Sequence, residues 1–175
     1  MLKSIFAPLL TTVALTGLTL PAFALEETPV LSSTVAIQAA QAAIAACLQE
    51  GYGVTATVVN PEGNVLVVIR SDGALVHTVQ TSFNKAYSAV TLAANHNLEA
   101  TSGILASMQA KGAQGVGTWP MPADPLTGIT LFPGGVNLLS QGKVVGGLGV
   151  SGTPDGKIDE RCALKGRDVV LPDLR

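Results

Sequence analysis

The stretch GGVNLLSQGKVVGGLGVS, Gly134 to Ser151, decides the fold. Mostly apolar runs lie on both sides of Ser140-Gln141-Gly142-Lys143, with Val136 and Leu138 before it and Val144 and Leu148 after it. Gly142 reaches positive φ without steric penalty, so a tight hairpin turn is expected here. The second arm carries glycine at 146, 147, 149 and 152. Glycine inside a strand weakens it, and usually marks a bulge or a close approach by another backbone or a ligand. Two readings stand: a helix packs tightly over this sheet, or a flat ligand lies near it.

Upstream, Val54 to Asn60 and Val65 to Arg70 flank Pro61-Glu62-Gly63-Asn64, a turn by its residue types, and form a second hairpin. The unbroken run VLVVI predicts a strand covered on both faces. Three helical segments surround these strands. Thr34 to Glu50 is alanine-rich, capped by Ser32 or Ser33, with Ile37, Ile44 and Leu48 on its more apolar face. Ala74 to Asn95 carries Val76, Val79, Phe83, Tyr87 and Val90 at helical spacing. Glu160 to Val170 follows a start at Thr153 or Asp155. Glu99 to Lys111 reads as a shorter helix and Ile129 to Phe132 as a short strand. Gly112 to Gly128, with the only tryptophan, reads as an irregular loop. The sum is a single α+β (α/β) domain, an antiparallel sheet with helices on both faces.

Hydrophobic residues make up 47% of the 175 and charged residues 13%, enough apolar material for one core. A formal net charge of −2 is far from the basic footprint of a nucleic-acid binder. Lys3, the apolar run Ile5 to Leu20 and Pro21-Ala22-Phe23-Ala24 read as a secretory signal over residues 1–24, cleaved after Ala24. Residues 25–31 form a flexible lead-in to a domain over 32–175. The expected location is periplasmic or secreted, with no stable membrane anchor. Cys47 and Cys162 either form one disulfide or remain two buried thiols. Neither joins a zinc-like cluster.

Arg70-Ser71-Asp72-Gly73-Ala74, followed by Asn84-Lys85-Ala86-Tyr87-Ser88-Ala89, resembles the strand-to-helix signature of the GlcG/HbpS-type haem-binding family. Phe132-Pro133-Gly134-Gly135-Val136 and Gly146-Gly147-Leu148-Gly149-Val150-Ser151-Gly152 resemble its C-terminal half. Asp159-Glu160-Arg161-Cys162-Ala163 is similar to the start of its last helix. The resemblance covers about residues 32–171. It implies a profilin- or roadblock-like sheet between helices, assembly into homo-oligomers including octamers, and haem binding in some exported members. It also implies haem degradation for some relatives. Others are associated with glycolate or corrinoid use.

Haem requires an apolar slot, an axial ligand for iron, and often cations for its propionates. The histidines are His77 and His96. Helical rise separates them by about 28 Å, so they do not meet one haem within one subunit. His77, which follows the Asp72-Gly73 turn, is the candidate metal ligand; a structural or solvent-exposed histidine is the competing reading. Lys85 and Arg70 are candidate partners for a propionate or another carboxylate. Lys85 has the competing role of an internal ion pair with Asp72 or Asp159. Tyr87 is a candidate phenolate ligand, or a core aromatic with a polar tip. Trp119 and Met121 stand in the loop that could cover a ligand. No nucleophile elbow, zinc-protease or phosphate-loop pattern is present, so no catalytic residue is assigned. The expected function is haem (tetrapyrrole) storage, sequestration or sensing. The alternatives are a binding or accessory protein for a small carboxylate such as glycolate, and a structural oligomer without ligand.

Overall fold

The computed structural model describes residues 29–112 and 128–174. The expected leader, the first part of the expected lead-in and the segment with Trp119 and Met121 lie outside the described residues.

Four helices and four strands follow in the order α1 (Ser33–Gln49), β1 (Thr55–Val59), β2 (Val65–Arg70), α2 (Thr78–Ser88), α3 (Ile104–Ala110), β3 (Gly135–Ser140), β4 (Lys143–Ser151) and α4 (Gly156–Val170). A π-helical turn, Ala89–Ala93, prolongs α2, and a short 3₁₀ turn, Thr101–Gly103, leads into α3. The strands form one antiparallel sheet in the order β2-β1-β4-β3. The β3–β4 hairpin turns through Gln141 and Gly142, both at positive φ, as its two-residue loop requires. Ile129 to Phe132 forms no strand; Ala100, rather than this segment, makes an isolated bridge to Val136.

Alternation along the strands separates two faces. Ala56, Val58, Val136, Leu138, Leu148 and Val150 join the main core with α1 and α4. On the opposite face lie Thr55, Thr57, Gly135, Gly147 and Gly149, and there α2 sits directly on the sheet. A Cβ added at Gly147 would stand 2.6 Å from Ala86 O, and one at Gly149 would overlap Ser82 O. The glycine-rich arm is therefore a seat for a helix. No flat ligand lies against it, because the backbone of α2 already occupies that space.

Hydroxyl pairs stitch α2 to the strands beneath. Thr55 meets Thr78, Thr57 meets Ser82, and Thr81 meets Ser151, each at 2.7 Å. Such pairs satisfy polar groups that burial would otherwise leave costly.

Two expectations about burial are corrected. The covered strand is β1, buried along its length, whereas β2 is an edge strand with Val65 and Val68 exposed. Its apolar run lacks a second neighbouring strand. In α1 the buried face is Ala36, Ala39, Ala40, Ala43, Ile44 and Cys47, while Ile37 and Leu48 are exposed. Small residues win this face because α4 crosses close by. A Cβ on Gly166 would lie 2.5 Å from Ala39 O. Cys47 and Cys162 join the two helices in a disulfide with Cα atoms 5.6 Å apart. Among the described residues no helix is long and apolar enough to cross a membrane.

Candidate functional site

The strand-to-helix connection after β2 builds one wall of a surface cleft. Arg70 leaves the edge strand and donates through its guanidinium to Ala74 O. Ser71 Oγ donates to Val54 O and accepts from Val54 N, tying the turn back to β1. Gly73 takes a φ of 78° to reverse the chain. These contacts deliver His77 to the N-terminal boundary of α2, where its side chain is exposed.

The opposite wall comes from the segment before β3 and the loop after β4. Ser88 Oγ accepts from Thr130 N and donates to Gly128 O, holding residues 128–130 against α2. Glu160 Oε2 accepts from Gly134 N and Ser102 N, fixing the chain as it enters β3. Asp155 caps α4 by accepting from Lys157 N, and Thr153 Oγ1 donates to Asp155 O.

Between these walls lies a cleft of about 170 Å³. Lys85, Ser151 and Asp159 are its buried lining. Thr81, Asn84, Thr130 and Thr153 form its half-buried sides. His77 and Phe132 stand exposed at its mouth. Beside His77 in the chain, Leu75, Val76 and Val79 also expose apolar surface, Val76 at 81%. Lys85 Nζ is 2.6 Å from Asp159 Oδ2, and both side chains are less than a tenth exposed. Asp159 Oδ1 accepts from Thr153 N, so the carboxylate joins the helix, the loop and the cation.

Of the candidate residues, His77 and Lys85 share this cleft. Lys85 makes the internal pair with Asp159, and Asp72 is not its partner. Arg70 lies outside the lining and holds the loop that carries His77. Tyr87 also lies outside it. Its ring fills the space over Gly63 and Gly128 and stands 5.8 Å from the Phe83 ring. His96 is half-buried at the far end of the same helical run, with Nδ1 2.7 Å from Ser107 Oγ. Sequence reasoning missed Thr81, Asn84, Thr130, Phe132, Ser151, Thr153 and Asp159 as cleft residues. Helical spacing from His77 could have found Thr81 and Asn84; Thr130 and Phe132 depend on the segment before β3, Ser151 and Thr153 on the end of β4 and the loop after it, and Asp159 on the start of α4. Among the described residues no cluster of three or more histidine, cysteine or acidic side chains could hold a metal ion. A haem iron needs only an axial donor from the protein, and His77 is the one imidazole at this cleft.

Residues 31–168 match the model of a family described as haem degrading protein HbpS-like. The chain belongs to the HbpS-like family. A double mutant of HbpS from Streptomyces reticuli is similar at 27% identity and a TM-score of 0.70, covering 90% of this chain and 98% of that one. The structure of a PduOC:haem complex shares the HbpS-like fold at 23% identity and a TM-score of 0.65, covering 82% and 96%. An uncharacterised 15.0 kDa protein of the dhaT-dhaS intergenic region of Citrobacter freundii is 34% identical over 113 residues, 65% of this chain and 73% of that one.

Proposed function

We propose that this HbpS-like chain is an exported haem-binding protein, acting in storage, sequestration or sensing and assembling as a homo-oligomer. The observation that carries the reading is His77, an exposed imidazole at the mouth of a cleft, flanked by exposed Val76 and faced by exposed Phe132. Imidazole is a common axial donor to haem iron, and exposed apolar side chains suit the porphyrin faces. The family description, haem degrading, points to the same ligand class.

The residues present fit haem at the mouth of the cleft. A volume of about 170 Å³ lies below the range of about 300–1,000 Å³ for pockets that enclose a drug-sized ligand. The described residues of one subunit therefore do not by themselves enclose a tetrapyrrole. Phe132 at the mouth, and Leu75 and Val76 just before His77 in the chain, are exposed apolar side chains, and a second subunit would complete the cover. When bound, haem would supply its iron as a Lewis-acidic and redox centre.

Export rests on the leader-like residues 1–24 and gains support from the buried disulfide, since such bonds persist in oxidising compartments.

Titration of the purified protein with hemin tests the reading. The expected result is a Soret shift that saturates at a fixed stoichiometry, with a rise in melting temperature by mass action. An absorbance that only follows free hemin, with no thermal shift, would overturn it.

A further inference from the structure

The buried part of the cleft holds hydrogen-bonding capacity that the fold does not use. An ammonium has three N–H donors. The Lys85 side chain is 7% exposed, and Asp159 is its one acceptor among the described residues. Two donors on a buried cation are left for a guest. Asn84 Oδ1 accepts from Gln80, which leaves the Asn84 amide hydrogens available. Thr130 Oγ1 accepts from Phe132 N, so its hydroxyl hydrogen is available too. The one carboxylate in the cleft is engaged at both oxygens, by Lys85 and by Thr153 N. The cleft is thus rich in donors and poor in free acceptors.

Size narrows the guest further. A volume of about 170 Å³ suits a small polar group rather than the whole of a drug-sized ligand. We propose that this cleft is a carboxylate site, with a guest oxygen on Lys85 Nζ and donors from Asn84 and Thr130 beside it. Asp159 offsets the charge of Lys85, so directed donors rather than net charge select the guest. A second carboxylate on the same small molecule would meet Asp159, which favours a monocarboxylate. The group can come from a small free monocarboxylic acid, or from a propionate arm of a porphyrin at the mouth.

Acetate and acetamide are titrated into the haem-free full chain while amide NMR shifts are followed, with chloride matching ionic strength. The free-acid source predicts saturable shifts at Thr81, Asn84, Lys85 and Ser151 with acetate, and at least ten-fold weaker response to acetamide. Asn84→Leu, which leaves the Lys85–Asp159 pair intact, should weaken acetate at least ten-fold. In a second arm, hemin is compared with hemin dimethyl ester, which lacks free carboxylates. The propionate source predicts at least ten-fold tighter binding of hemin than of the ester, with the gap closed in Asn84→Leu. The proposal is overturned if acetate gives no saturable shift and hemin and its ester bind alike, or if every preference found persists in Asn84→Leu. Soret saturation by the ester alone reports haem binding separately from the carboxylate site.

Discussion

Lys85 and Asp159 are a cation and an anion placed almost out of reach of water, 74 positions apart in the chain. Removing one partner leaves the other charge buried and uncompensated, at a cost of about 3–5 kcal/mol. Asp159→Ala should therefore lower the urea unfolding free energy by about that amount. The double variant Lys85→Met/Asp159→Leu should lose clearly less than the two single changes summed, because no lone charge remains. Strict additivity in a double-mutant cycle would contradict this. The local sequence named Asp72 and Asp159 as equal partners for Lys85. Only the tertiary fold, which brings Asp159 at the start of α4 to Lys85 from the opposite face of the sheet, chooses between them, and nothing within a few residues of Lys85 encodes that meeting. His77 is the opposite case. A turn of Asp72-Gly73 followed by a helix marks it locally, and the structure places it at the mouth of the cleft.

At the scale of elements, β4 and α2 depend on one another through missing side chains. A methyl at Gly149 would overlap Ser82 O and crowd Ala86, so α2 would have to lift from the sheet. Gly149→Ala should destabilise by about 1–3 kcal/mol or more, with the hydroxyl pairs beneath α2 loosened. Faster hydrogen exchange of the α2 amides would register that lift; wild-type exchange and an unchanged unfolding midpoint would contradict it. The glycines were readable as a place of close approach, yet not as a seat for a particular helix. A ligand plane and a helix backbone both demand the absence of Cβ. The same ambiguity misassigned the buried face of α1, where hydrophobicity favoured Ile37 and Leu48 but close packing against Gly166 favoured alanines. The α1–α4 disulfide, with a sequence separation of 115, constrains the unfolded chain by about 4–5 kcal/mol in the loop-entropy account. Cys47→Ala/Cys162→Ala should show a correspondingly lower melting temperature, and wild-type melting should fall to meet it under reducing conditions.

The whole molecule is a four-stranded antiparallel sheet with α1 and α4 on one face and α2 on the other. That architecture was legible because strand alternation, turn residues and helix caps agree along most of the chain. The edge position of β2 was not, since an apolar run looks alike in a central and a peripheral strand; pairing order, a long-range property, separates them. Exposed Val65 and Val68 on that edge, with Leu75, Val76 and Phe132 near the cleft, predict self-association. Sedimentation should find a discrete assembly larger than one chain, and a monomer at every concentration tested would contradict this. The cleft was less legible than the fold, because it gathers residues from α2, the pre-β3 segment, the end of β4 and the start of α4. Haem binding through one imidazole is the central claim, and hemin titration of His77→Ala beside His96→Ala tests it most directly. The account predicts loss of the saturating Soret shift in His77→Ala and retention in His96→Ala; saturation surviving in His77→Ala would contradict it.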